Sequence, residues 1–285
     1  MPTSALRHAV LSLLVCLHLP LATPLAFEYD EVFASRAVHL AGQAYCEPGS
    51  IMDGSNKQAV DGVTPYATWT NSSLQFYTAF DSENSAVVVA VRGSENVSNW
   101  IDNLEAWCVH PYEDKDICIH SGFRSEYESM QEALIEDVAA TADKFGTDKV
   151  LLVGHSSGAA NMIQFAFDIA THQFPALSKL NVLALYTYGV PRVGNPSYVT
   201  AFKEADIAHT RVTHYHDAVP HVPMSSLGFH HTAQEVWYNE DSSEFTVCDG
   251  SGEDEECSNS CQPLSCTSFD DHMTYMGVAI GISGC

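Results

Sequence analysis

Residues 149–170 constrain the fold of this chain more tightly than any other stretch. Lys149 to Val153 (KVLLV) is a compact apolar run, Gly154-His155-Ser156-Ser157-Gly158 follows it directly, and Ala159 to Ala170 then carries strongly apolar helical periodicity. Strand, Gly-x-Ser-x-Gly and helix in that order form the setting of a nucleophile elbow. The glycines have a steric reason, because the turn is tight and a side chain at 154 or 158 would collide with the neighbouring strand or helix. The central serine, Ser156, is then expected at a helix N-terminus with its Oγ exposed, where partial positive charge favours the anion that develops in acyl transfer. Ser157 comes one residue late for the elbow, and its useful group is the backbone N–H.

Other β-branched or apolar runs lie at Ala86–Val91, Val182–Tyr188 and Arg211–Tyr215, and helical periodicity lies at about 31–45, 125–145 and 196–205. The runs are apolar enough to be buried on both faces, so their alternation with helices predicts an α/β fold around a mostly parallel sheet. No internal repeat or long linker interrupts it.

The chain opens with Arg7 and His8, an apolar run from Leu11 to Leu19, and small residues at Ala22 and Ala26. That pattern predicts a secretory signal peptide over 1–26, cleaved between 22 and 26, and leaves 27–285 as a single domain. The apolar run is too short to span a membrane, and no later segment approaches the length needed. Eight cysteines follow the signal region: Cys46, Cys108, Cys118, Cys248, Cys257, Cys261, Cys266 and Cys285. An even number in an exported chain predicts disulfides, with the pairing left open by spacing. Sequons at Asn71 and Asn96 agree with export, whereas Asn195 is followed by proline. A net charge of −24 with only 12 Lys and Arg disfavours nucleic acid and anionic membranes as partners. The acidic stretch Asp249–Glu256 lacks the spacing of an EF-hand and reads as a solvated loop.

A serine hydroxyl needs a base, and the base needs an orienting carboxylate, in the chain order Ser, Asp or Glu, His. Asp217 follows the Arg211–Tyr215 run and opens the proline-enforced loop Asp217–Pro223, whereas Asp206 lies in an exposed helical stretch. Among the later histidines, His221 sits in the same loop as Asp217, and His230 and His231 have no such setting. His272 opens a stretch, His272–Gly281, that is predicted helical and sits in a cysteine-braced region, which suits a positioned base. His214 and His216 precede Asp217, and no convincing further ligands join them, so no metal is expected. For the oxyanion, the N–H of Ser157 and the turn after Ala86–Val91, where Ser94 follows Arg92-Gly93, supply donors.

The segments Val91-Arg-Gly-Ser94, Asn99-Trp-Ile-Asp102, His120–Phe123, Val153–Gly158, Thr187–Asn195, His216–Pro223 and Asp271–Tyr275 together resemble the fungal class 3 lipase family, the filamentous-fungal triacylglycerol lipases and their feruloyl esterase relatives. The similarity covers nearly the whole mature chain. It implies an α/β-hydrolase fold with Ser156, Asp217 and His272 as triad, an oxyanion hole at Ser94 and Ser157, and no cofactor. It also implies disulfides Cys46–Cys285 and Cys248–Cys257, and leaves Cys108–Cys118 and Cys261–Cys266 as the remaining pairs. Ser157 and Ala159 stand where these lipases commonly show Leu and Gly, which touches the acyl site more than catalysis. In Ser94–Leu104, Val97, Trp100, Ile101 and Leu104 share one helical face, and the resemblance makes this segment a short lid. The expected function is a secreted, monomeric carboxylic ester hydrolase acting on lipid or small esters, foremost a triacylglycerol lipase whose lid opens at a lipid interface. A feruloyl-type or short-chain esterase, a phospholipase, a peptidase and an inactive secreted binding protein remain as alternatives on the same scaffold.

Overall fold

The structure is a computed structural model that describes residues 27–102, 107–232, 234–262 and 265–285. The expected signal peptide and Leu104 of the expected lid lie outside the described residues, as does the side chain of Trp100.

In chain order the elements are α1 (Glu31–Gln43), α2 (Pro48–Asp53), β1 (Val63–Thr70), β2 (Gln75–Asp81), β3 (Ala86–Val91), α3 (Val97–Asp102), β4 (Cys108–Val109), β5 (Ile119–His120), α4 (Ser121–Phe145), β6 (Lys149–His155), α5 (Ser157–Ala170), β7 (Asn181–Tyr188), α6 (Pro196–Glu204), β8 (His209–His214), β9 (Gln234–Tyr238), β10 (Phe245–Val247), β11 (Thr274–Tyr275) and β12 (Val278–Ala279). Eight strands form one sheet in the order β1-β2-β3-β6-β7-β8-β9-β10. The inner ladders from β3 to β9 are parallel, and β1, β2 and β10 add antiparallel edges. This is the α/β-hydrolase arrangement expected for the chain, with helices on both faces.

The period-two side-chain alternation of a strand divides the core. Val87, Val89, Val91, Val150 and Leu152 face a cluster completed by α4 and α5. Val88, Ala90, Leu151 and Val153 face a second cluster built on α1 and Tyr275. Burial on both faces is why β3 and β6 read as unbroken apolar runs. Every residue of α5 except Ala170 is buried. By contrast, α4 buries only a stripe from Phe123 through Tyr127, Met130, Leu134 and Val138 to Thr141 and Ala142, and Gly146 stops it at φ 67°.

The structure corrects one expectation about the C-terminal segment. Residues 272–281 are not helical: Asp271–Met273 form one 3-10 turn, and β11 and β12 follow as a hairpin. Thr274 pairs with Ala279 and Tyr275 with Val278, so the loop is Met276-Gly277, and both residues have positive φ. A two-residue hairpin loop demands that backbone, and the glycine together with β-branched Thr274, Val278 and Ile280 outweighs the apparent helical spacing.

Disulfides join Cys46 to Cys285, Cys108 to Cys118, Cys248 to Cys257 and Cys261 to Cys266. The first ties the end of α1 to the C-terminus across 239 residues of sequence. Among the described residues no helix is long and apolar enough to cross a membrane.

Candidate active site

Ser156 caps α5 at φ 58°, ψ −133°, a backbone that L-residues rarely adopt. The turn closes as tightly as its glycines suggest. A Cβ at Gly154 would lie 2.6 Å from Ala159 Cα, and one at Gly158 would lie 2.3 Å from the Val91 carbonyl oxygen. Ser156 is not exposed as the motif alone suggests; it is fully buried. The Gly93–Ser94 loop presses against the elbow, so closely that a Cβ at Gly93 would sit 2.5 Å from Ser156 Cβ.

Asp217 and His272 meet although 55 residues separate them. His272 Nδ1 donates to Asp217 Oδ2 at 2.8 Å, with both side chains buried. The loops that carry them are laced together: Ala218 N–H donates to the Ser268 carbonyl, and Ser268 N–H donates to that of His216. Asp217 Oδ2 also accepts from the Tyr275 hydroxyl, and its Oδ1 accepts from Val219 N–H at 2.8 Å. Burial pushes the Asp217 carboxyl up. The imidazole of His272 and the bonds from His272, Tyr275 and Val219 outweigh it, so the carboxyl lies below its ordinary value. The ionised carboxylate fixes the His272 tautomer: Nδ1 carries the hydrogen and Nε2 presents a lone pair. Among the described residues, Ser156 Oγ and His272 Nε2 are buried polar atoms without a hydrogen bond. Serine–base contacts of this kind are commonly loose before substrate arrives.

The other candidates sit elsewhere. His221 contacts Cys261 Sγ and Gln262, and burial and the Arg192 charge push it down to about 4. His231 donates from Nε2 to the Pro220 carbonyl. His214 lies with Nδ1 at the Asp271 carbonyl, 2.9 Å away, and so braces the turn that carries His272. Asp206 is exposed at the end of α6.

Ser94 is half-buried, and its Oγ stands 3.4 Å from Ser157 Oγ, which brings the two expected oxyanion residues side by side. The helix that follows is short. Asn96 caps it, accepting from Asn99 N–H at 3.2 Å and Ser98 Oγ at 3.1 Å. Val97 is buried, Ile101 is half-buried, and Ser98 and Asn99 face solvent. An Arg92–Glu95 ion pair of 2.5 Å stands at its root. Both sequon asparagines, Asn71 and Asn96, are exposed.

Sequence reasoning did not assign several residues here. Tyr275 lies inside the Asp271–Tyr275 motif yet received no role, and Tyr45, His155 and Gly189 carried no signal beyond their neighbours. Gly189, at φ 56°, lies under Asp217 and His272: a Cβ there would be 2.8 Å from both Asp217 Oδ2 and His272 Nδ1. Two groups of three metal-ligand side chains occur among the described residues, His221–Cys261–Cys266 and Cys248–Asp254–Cys257. In both, the sulfurs are joined in disulfides and have no thiolate to offer.

Comparison with known proteins places this geometry among relatives. The model of the family Lipase (class 3) matches residues 88–227. A lipase of Rhizomucor miehei is 32% identical over 250 residues, covering 85% of this chain and 68% of the relative. A secreted mono- and diacylglycerol lipase of Fusarium solani is 32% identical over 237 residues, covering 78% of this chain and 66% of the relative. The chain thus spans about two thirds of the length of these two relatives. Lipase II of Rhizopus niveus superposes with a TM-score of 0.79 at 28% identity, over 88% of this chain and 95% of that one.

Proposed function

Since the chain belongs to the class 3 lipase family, we propose that it is a secreted triacylglycerol lipase acting through Ser156, His272 and Asp217. The supporting observation is the Asp217–His272 hydrogen bond beside a serine held in an elbow conformation. With Nδ1–H committed to the carboxylate, His272 Nε2 takes the Ser156 proton as Oγ attacks the ester carbonyl. Asp217 stays ionised and stabilises the imidazolium. The N–H groups of Ser157 and Ser94, with the Ser94 hydroxyl, receive the developing oxyanion. His272 then protonates the leaving alcohol, and in a second round it takes a proton from the water that attacks the acyl-enzyme and returns it to Ser156 Oγ as the fatty acid leaves. No cofactor enters.

In this reading residues 1–26 are a signal peptide, 27–285 are one catalytic domain, and the protein acts as an extracellular monomer. Asn71 and Asn96 carry N-glycans. The segment from Val97 to Leu104 is a lid that covers Ser156 in water. At a lipid surface it turns its apolar residues Val97, Trp100, Ile101 and Leu104 outward. A helix of this length is marginal alone and depends on docking one face or the other.

The Fusarium solani relative favours a second reading on the same machinery, with mono- and diacylglycerols as substrates. Esterase action on feruloyl or short-chain esters is the third. Rates on a long-chain triglyceride emulsion, a partial glyceride, a dissolved short-chain ester and a feruloyl ester separate these. The lipase reading expects a jump in rate as the substrate passes its solubility limit, and a feruloyl ester hydrolysed faster than any glyceride would contradict it. Ser156→Ala tests the mechanism, with an expected loss of at least about 10³-fold in kcat. Hydrolysis at the wild-type rate by that variant would contradict it.

A further inference from the structure

His155 ends β6 and directly precedes Ser156, and Tyr45 follows α1 and directly precedes the Cys46–Cys285 bridge. Both side chains are buried. The Tyr45 hydroxyl lies 2.6 Å from His155 Nδ1, and it also accepts from Gly93 N–H at 2.8 Å. The other ring nitrogen, His155 Nε2, lies 2.8 Å from the backbone carbonyl of His272. The two ends of this chain are backbone groups whose roles cannot change, so every hydrogen is assigned. The carbonyl only accepts, so Nε2 carries the proton and Nδ1 is the acceptor. Tyr45 must therefore donate to Nδ1, and its remaining lone pairs receive Gly93 N–H.

We propose that Tyr45 and His155 are positioning residues for the Ser156 site, linking the oxyanion loop at Gly93 to the backbone of the base at His272 through one directed line of hydrogen bonds. The line runs past the nucleophile on the residue that adjoins it. It fixes three loops against one another: the turn after β3, the elbow after β6, and the turn carrying His272. Because Gly93 N–H is committed to Tyr45, the oxyanion donors are left to Ser94 and Ser157. Burial, and next the adjacent His272, push His155 down to about 3, so its ring stays neutral and the direction of the line holds at neutral and mildly acidic pH. The rings of His155 and His272 also pack with their centroids 4.4 Å apart and their planes inclined at 32°, which adds a packing contact to the bond. The proposal rests on the reading of Ser156 and His272 as reacting groups.

The test uses the purified protein and a dissolved short-chain ester, so that binding to a lipid interface plays no part. Tyr45→Phe keeps the ring and removes the hydroxyl, which strands Gly93 N–H and His155 Nδ1. The expected result is a fall in kcat of about 10- to 100-fold with KM within about twofold, and a parallel fall in the rate of fluorophosphonate labelling of Ser156. His155→Gln keeps an N–H for the His272 carbonyl and is expected to hold kcat within about tenfold of wild type, whereas His155→Phe, which keeps volume and loses both bonds, falls as far as Tyr45→Phe. A folded Tyr45→Phe protein with wild-type kcat and labelling rate overturns the proposal, as do His155→Gln and His155→Phe proteins with equal kcat. If Tyr45→Phe does not fold, the His155 pair decides. Wild-type hydrolysis by Ser156→Ala would instead overturn the triad reading itself, so the two failures are distinguishable.

Discussion

Gly189 sits at φ 56° beneath both Asp217 and His272, and it marks how little room the acid–base pair has. Gly189→Ala would drive a methyl to within 2.8 Å of Asp217 Oδ2 and His272 Nδ1 in a backbone region that alanine disfavours. The expected outcome is a kcat loss of about 10²-fold or more together with a lowered melting temperature, measured on the same preparation. Tyr275 acts on the same carboxylate through its hydroxyl. That bond is one of those that hold Asp217 below its ordinary value, so removing it with Tyr275→Phe raises the Asp217 pKa. The acid limb of the kcat/KM profile should then move to higher pH, and an unchanged limb would show that the hydroxyl does not tune the pair. Ser157 refines the expectation drawn from its motif. Its hydroxyl lies beside that of Ser94, so a position expected to act through its N–H alone also sets a side chain against the loop after β3.

In the proposed function, α3 is the element on which the choice of substrate turns. Asn96 caps it and Val97 docks it, yet it is only six residues long. Trp100→Ser should cut activity on triglyceride emulsion several-fold while leaving a dissolved short-chain ester near the wild-type rate, and equal loss on both would remove the lid from lipid contact. At this scale the sequence was most legible where burial is two-sided. The strands β3, β6, β7 and β8 and the helices α1, α4, α5 and α6 stand out because few arrangements besides a buried strand or a docked helix produce a uniform apolar run or a 3.6-residue stripe. The two outermost strands were not legible: β1 is half-exposed along its length and β10 is exposed, so neither shows a clean apolar pattern. Residues 272–281 misled because Met273, Met276 and Ile280 mimic a helical stripe, and only Gly277 betrays the hairpin. Tyr45 and His155 were invisible for a different reason, since they partner each other across 110 residues and backbone groups brought close by the fold rather than by spacing.

Across the whole molecule, the buried histidines set how stability depends on pH. Burial holds His155 and His209 at about 3 and His221 at about 4, and His231 well below the ordinary 6.5. Each binds a proton more readily unfolded than folded between its depressed value and 6.5, so stability is full above 6.5 and falls as pH drops through that window. Asp217 and Glu253, both lowered, add a further loss as pH falls from the ordinary carboxylate range toward their own values. Each such group contributes a slope of about 1.4 kcal/mol per pH unit where the folded and unfolded proton counts differ by one. The midpoint of urea unfolding should therefore decline steadily from pH 7 to pH 4, even though the net charge is smallest near the sequence pI of 4.7. A stability maximum at pH 4.7 would show that overall charge repulsion, and not the buried histidines, governs the acid side.

The most direct test of the central claim is to treat the wild-type protein with a fluorophosphonate and map the adduct by peptide mass spectrometry. A single adduct on Ser156, abolished by His272→Ala and strongly slowed by Asp217→Asn, is the predicted result. No adduct, or an adduct on another serine such as Ser157 or Ser94, would contradict it.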